Sequence, residues 1–343
     1  MPFDATSASG PRAESRRSET RRQAPQEPSI QWLSDVSKRD KPWDAHGSAA
    51  GTVAEFYRQS DRPDFQRLAD RMNACSPILE FGEFIDPETG EVGYRLYQAY
   101  FCRVRTCPKC GWRKSLRWKG RILSVLPEID AAYPKHRWLF LTLTVRNPSM
   151  SQLKTTMKAM RAGWRNMSRY KNWPAIGAVR SVEITKGEDG RPHPHFHALL
   201  LVPSTYFKGS NYIKHDAWVA MWRKAMKLDY DPTLRIQPVK PREGEGNLHP
   251  MHAAVSECLK YSVKPSDLTS DPEWLWAITD QIRGTRAVEV FGALKPFFKE
   301  EEDEEDLVNV SEDGDDGPAA DAGGHYFNWF NSYAKYGRRK RND

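Results

Sequence analysis

The chain has 343 residues, 39% of them apolar, enough for one large domain or two modest ones with a core. The opening residues, including SRRSETRRQAPQEPS, are polar and arginine-rich, unlike a signal peptide, and no run approaches the ~18 apolar residues of a membrane span. A soluble cytoplasmic protein is expected. The net charge of +7 conceals an asymmetry, because residues 299–317 hold eleven carboxylates against one lysine and leave +17 on the rest. A body that basic suits a polyanionic partner, usually nucleic acid; the plainer alternative is a solubilising surface.

Residues 1–45 are rich in Arg, Ser, Pro and Glu and predict a disordered arm. PDFQRLADRMNAC then reads as a helix, and ILEFGEF and EVGYRLYQAYF as strands joined by the turn DPETG. SLRWKGRILSVLPEI predicts an amphipathic helix ending near Pro134, and HRWLFLTLTV (136–145) a strand. After the Asn147–Pro148–Ser149 break, SQLKTTMKAMRAGWRNMSRY has helical spacing. AIGAVRSVEIT and HPHFHALLLV form a hairpin across KGEDGRP. HDAWVAMWRKAM is helical, LRIQPVK is a strand, and HPMHAAVSECLKYSV is a helix stopped by Lys264–Pro265. A hairpin at the centre, rather than a parallel crossover, predicts an α+β fold, an antiparallel sheet with helices packed on it. Four regions follow: the arm 1–45, a cysteine-bearing region 46–135, a histidine-bearing domain 136–298, and an acidic tract with a basic aromatic tail over 299–343. HYFNWFNSYAKY in that tail is aromatic enough to dock on something.

CRVRTCPKCGW places Cys102, Cys107 and Cys110 at C-x4-C-x2-C, and Cys75 precedes the strand pair. Four thiolates in a tight knuckle suit one tetrahedral zinc, whereas disulfides are disfavoured in the cytoplasm. Unrelated free thiols are the alternative. Cys258, on a later helix, reads as a small buried residue. Around the knuckle, Arg103, Arg105, Lys109, Arg113, Lys114, Arg117 and Lys119 make a basic face that could meet DNA phosphates. Trp112 and Trp118 could stack on bases, but core packing is their default.

His193, His195 and His197 alternate along one strand and so share a face, which could bind a metal or be a solvated edge. Pairing through the loop brings Glu183 beside His195 and His197, a donor set suited to Mg²⁺ or Mn²⁺. Glu257 and Tyr261, four apart on one helix face with Lys260 and Lys264 nearby, could act as general base and nucleophile, or be a surface carboxylate and a core tyrosine.

Taken together, these segments resemble a known family. HPHFHALLLV resembles the His–hydrophobic–His strand of the HUH endonucleases, FLTLTV their first motif, and ECLKYSVK their tyrosine motif. CRVRTCPKCGWRKS, with Cys75 upstream, is similar to the cysteine region of one branch. Over residues 70–268 or so the chain looks like a plasmid rolling-circle replication initiator, of the Rep family that carries one catalytic Tyr with a nearby Glu.

The resemblance implies a ferredoxin/RRM-like catalytic sheet with Glu183, His195 and His197 as metal ligands, His193 lying outside the pair. Tyr261 is then the nucleophile of a nickase and Glu257 the acidic residue that replaces a second tyrosine. It implies a 5′-phosphotyrosine link, a free 3′-OH primer, and single-stranded and origin double-stranded DNA as partners, with a host helicase and DNA polymerase. Related readings are an HUH transposase or relaxase, or a zinc-dependent DNA-binding regulator without catalysis.

Overall fold

The computed structural model describes residues 29–85, 92–240, 251–298, 307–308 and 324–339. The DPETG turn and almost all of the acidic tract lie outside them, as do residues 1–28. In chain order the strands are β1 (Ile30–Trp32), β2 (Ile78–Ile85), β3 (Val92–Ala99), β4 (His136–Thr144), β5 (Gly177–Lys186), β6 (Pro192–Pro203), β7 (Leu234–Pro238), β8 (Val288–Gly292), β9 (His325–Phe330) and β10 (Lys335–Arg339). The helices are α1 (Leu33–Val36), α2 (Pro42–Arg58), α3 (Pro63–Asn73), α4 (Pro108–Ala132), α5 (Leu153–Met167), α6 (His215–Met226), α7 (Met251–Cys258), α8 (Pro265–Leu268) and α9 (Pro272–Ile282). Among the described residues no helix is long and apolar enough to cross a membrane.

The fold is α+β, as expected, but the described residues form two five-stranded antiparallel sheets rather than one. The histidine sheet runs β7-β4-β6-β5-β8 and the second β1-β10-β9-β2-β3. In the first, β6 is central, which explains its unbroken apolar run from Ala198 to Val202: both faces are covered, so polar alternation disappears. Phe196, Ala198, Leu200 and Val202 pack with Met157, Met160, Trp164 and Trp222 of α5 and α6. Leu199 and Leu201 face the other way, onto Ile122 and Leu126 of α4 and Val255 of α7. By the period of two, His195 and His197 belong to this second face.

The second sheet corrects one expectation and specifies another. Residues 30–45 are not a disordered arm: β1 pairs with β10, and Leu33 and Trp43 are fully buried. The aromatic tail, expected to dock on something, docks within the chain itself. It folds into the β9–β10 hairpin, which sits between β1 and β2 and buries Phe327 and Tyr336 completely. The aromatic segment thus docks on the chain's own N-terminal strands. At three residues (Ile30, Gln31, Trp32) β1 is too short to show a strand pattern by itself, and its structure comes from pairing with residues some 300 positions away.

Tyr336 ties this sheet to the cysteine region, donating to the Ser76 carbonyl oxygen at 2.7 Å and accepting from Lys109 Nζ at 3.3 Å. Tyr336→Ala removes a buried aromatic and both bonds, so it is expected to cost at least about 3–5 kcal/mol. Chemical denaturation of the variant measures this.

Candidate metal centre and nucleophile

The predicted hairpin has the predicted register. Glu183 lies opposite His195 and Ser181 opposite His197, while on the far side Thr144 and Thr142 face the same two histidines. The KGEDGRP loop closes through Gly187 N–H to Arg191 O at 2.8 Å, with Gly190 in the left-handed region at φ +73°. Period-two geometry therefore gathers Glu183, His195 and His197 on one face, beneath 5–9% residual exposure.

Glu183 Oε2 lies 2.9 Å from His195 Nε2 and 3.0 Å from His197 Nε2. His195 Nδ1–H donates to the His193 carbonyl oxygen at 3.2 Å, so in its neutral form its Nε2 turns a lone pair toward the carboxylate. Lone pair facing lone pair is repulsive unless a cation or proton lies between. Burial acts to raise the Glu183 pKa, yet contact with the His195 and His197 imidazoles holds it well below the usual carboxylate range. Its other oxygen, Oε1, is buried without a partner among the described residues. An octahedral ion with bonds of about 2.1 Å holds adjacent ligand atoms about 3.0 Å apart. The donor set fits a small divalent cation.

Thr142 Oγ1 contacts His197 Nδ1 at 3.2 Å and so fixes the orientation of that imidazole. Thr142→Val is expected to weaken Mn²⁺ binding about tenfold to a hundredfold, measurable by isothermal titration calorimetry. His193 stands apart, half-buried, with Nδ1 2.6 Å from Asn147 Oδ1.

Tyr261 does not lie on a helix with Glu257. α7 ends at Cys258, so the two residues do not share a helix face. Instead the chain crosses to β5, where Ser262 O accepts from Ile184 N–H at 2.9 Å and Val263 bridges Ile184 in parallel. β8 reaches only to Ser181, and this crossing satisfies a backbone donor that would otherwise be orphaned. Upstream, Ser181 Oγ donates to Cys258 O, and the Cys258 thiol donates to His197 O at 3.6 Å. Tyr261 is thus strapped between anchors on Ser181 and Ile184, the residues that bracket Glu183. Cys258 is buried, as expected, and burial pushes its thiol up to about 12. Glu257 is about half exposed and pairs with Lys260 at 2.5 Å.

Sequence reasoning missed His46. Its Nε2 lies 3.0 Å from Tyr261 Oη, and its ring stacks on Trp112 at 4.8 Å. No local pattern marks a lone histidine in PWDAHGSAAG, because the contact spans 215 residues.

The four predicted cysteines converge. Sγ of Cys75 and Cys102 each lie 3.6 Å from Sγ of Cys110, and Cys107 lies 3.8 Å from Cys75. A tetrahedron with metal–sulfur bonds of about 2.3 Å has edges of about 3.8 Å. Hydrogen bonds from Cys102, Cys107 and Cys110 drive the Cys75 pKa far down, while the thiols of Cys107 and Cys110 are pushed up. One thiolate forms readily and further ionisation is opposed, which a divalent cation would relieve.

The basic face is smaller than expected. Lys109 is buried and donates to Cys75 O, and Arg113 is buried and donates to Leu307 O and Val308 O at 2.9 and 2.7 Å. Both serve the interior and do not present charge to a phosphate. Arg105 is exposed although it donates to Thr285 O; Arg103, Lys114, Lys260 and Lys264 are also exposed, with Arg117 and Lys119 half-buried. Trp112 packs in the core against Trp43, as its default predicted.

A family described as a replication protein matches residues 93–337, a span from β3 into β10 of the tail hairpin. The chain is 35% identical over 305 residues to Protein rep of Bacillus amyloliquefaciens, covering 81% of this chain and 88% of that protein. Against Protein rep of Lentilactobacillus hilgardii it is 35% identical over 295 residues, with 82% and 90% covered. Against that of Lactiplantibacillus plantarum it is 36% identical over 264 residues, with 73% and 81% covered. No solved structure matches the chain. With a matching region that takes in the histidine sheet, the tyrosine strap and most of the cysteine element, this chain belongs to the replication-protein (Rep) family.

Proposed function

We propose that this Rep protein initiates plasmid replication by nicking one strand at a double-strand origin and joining itself to the 5′ end. The observation that carries the reading is the convergence of Glu183, His195 and His197 on one point, with Tyr261 strapped beside the strand that bears Glu183. Those three side chains would hold Mg²⁺ or Mn²⁺, which supplies Lewis-acid polarisation of a phosphate oxygen when bound. The Tyr261 oxygen attacks phosphorus, the bond to the 3′ oxygen breaks, and a 5′-phosphotyrosine and a free 3′-OH result. One phosphodiester replaces another, so cleavage needs no ATP.

The 3′-OH then primes a host polymerase on a template opened by a host helicase. At termination Glu257, just ahead of the strap, activates water for the second cut. Cys75, Cys102, Cys107 and Cys110 hold a structural zinc. Arg103, Lys114 and Lys264 contact DNA phosphates.

The test uses labelled single-stranded oligonucleotides tiling the plasmid that encodes the protein, with Mn²⁺, beside Tyr261→Phe. A denaturant-resistant, metal-dependent adduct that disappears in the variant is expected. An adduct that persists in Tyr261→Phe moves the nucleophile elsewhere, and binding without any adduct points to a non-catalytic regulator.

A further inference from the structure

We propose that His46 is the proton acceptor for the Tyr261 hydroxyl, so that the N-terminal helix α2 completes the nicking site built on the histidine sheet. The inference rests on the assignment of Tyr261 as nucleophile. A free phenol has a pKa of about 10 and is protonated at neutral pH. Its attack on phosphorus therefore has to shed a proton, and a group within hydrogen-bond reach of the oxygen must receive it or pass it to water.

His46 Nε2, 3.0 Å from Tyr261 Oη, is placed to do this. Burial lowers the His46 pKa to about 4, so the imidazole is neutral and able to accept. A base that weak suffices late in the reaction, because the phenolic proton becomes strongly acidic as the oxygen–phosphorus bond forms. The incoming phosphodiester also brings negative charge toward the site, which favours the imidazolium. In the balanced step the Tyr261 O–H bond breaks and its proton goes to His46 Nε2. The oxygen–phosphorus bond forms, and the 3′ oxygen departs with the bonding pair and takes a proton from water.

The surroundings hold the imidazole in place from two sides. Its ring stacks on Trp112, two residues beyond Cys110, at an interplanar angle of 27°. On the next residue, a Cβ at Gly47 would come within 2.4 Å of the Trp329 ring in the tail hairpin. Asp44 Oδ1, one half-turn earlier, accepts from Tyr336 N–H at 2.9 Å. The cysteine element and the hairpin therefore both fix α2. Tyr261 is only half-buried, so water could satisfy its hydroxyl, and burial alone does not require a histidine there.

The experiment measures single-turnover adduct formation by the full chain on an oligonucleotide carrying the nick site. His46→Gln is expected to slow it about 10²-fold, with DNA binding and the melting temperature retained. Placing 3,5-difluorotyrosine at position 261 is expected to recover most of that loss in His46→Gln, because the more acidic phenol ionises unaided, and to change the parent little. A purely packing role would not respond to phenol acidity. Parental rates in His46→Gln, or a loss that fluorination leaves untouched, overturn the proposal.

If His46→Gln does not fold, a series of fluorotyrosines at 261 in the parent decides the matter. A shallow dependence of rate on phenol acidity supports assisted attack, and a steep one overturns it. Adduct formation by Tyr261→Phe, or none by the parent, instead defeats the underlying nucleophile assignment, and the role of His46 falls with it.

Discussion

Cys107→Ser is expected to abolish the zinc binding proposed for the cysteine cluster and unfold the half of the molecule built on the second sheet. A structural zinc contributes roughly 10–16 kcal/mol of apparent binding energy in small domains, while a whole domain is stable by only about 5–15 kcal/mol. Loss of one thiolate in four is therefore large on the scale of the fold. The consequences are traceable through the packing. Cys75 precedes Ser76, which receives the Tyr336 hydroxyl, and Cys110 lies in the first turn of α4, which carries Trp112 against Trp43 and His46. Release of the cluster thus loosens the tail hairpin and the His46–Tyr261 contact together. Zinc content by atomic emission, tryptophan fluorescence and the melting temperature follow these steps. Cys258→Ala serves as the control, since that thiol lies on the histidine sheet away from the cluster. Retention of the parental melt by Cys107→Ser would remove the cluster's structural role.

How much of this was legible depends on the range of the interactions. The histidine hairpin was readable to the residue, because period-two alternation and a tight loop fix register locally: Glu183 had to meet His195 once KGEDGRP was a turn. The cysteine cluster was readable because its spacing is itself the signal, with only Cys75 coming from a distance. The end of α7 was not. AVSECLKYSVK continues a helical pattern up to Pro265, but an unpaired β5 amide at Ile184 recruits Ser262 and Val263, and backbone pairing there ends the helix early. The same limit hid β1 and His46, whose partners lie across the chain. Lys109 and Arg113 were misread as surface charges because a long basic side chain carries no mark of the carbonyls it will find.

Glu183→Gln is expected to abolish metal-dependent nicking while leaving the protein folded. The carboxylate supplies the negative charge of the cluster, and its Oε2 is the atom on which both Nε2 atoms converge. A bound divalent ion contributes several kcal/mol to stabilising charge at a phosphoryl centre, and each 1.36 kcal/mol is tenfold in rate, so the loss should reach about 10³-fold or more. Stability should respond less than that of a simple core residue. Gln keeps the shape, and the desolvation cost it removes offsets the contacts with His195 and His197 that it weakens, so the metal-free variant should melt close to the parent. The distinguishing readout is the response to Mn²⁺. A ligand that binds only the native state raises the melting temperature by mass action, so millimolar Mn²⁺ should stabilise the parent and not Glu183→Gln. His195→Ala and His197→Ala should lose the same response. A Mn²⁺ shift that survives in Glu183→Gln would place the ion at another site, and the nicking chemistry would have to be rebuilt around it.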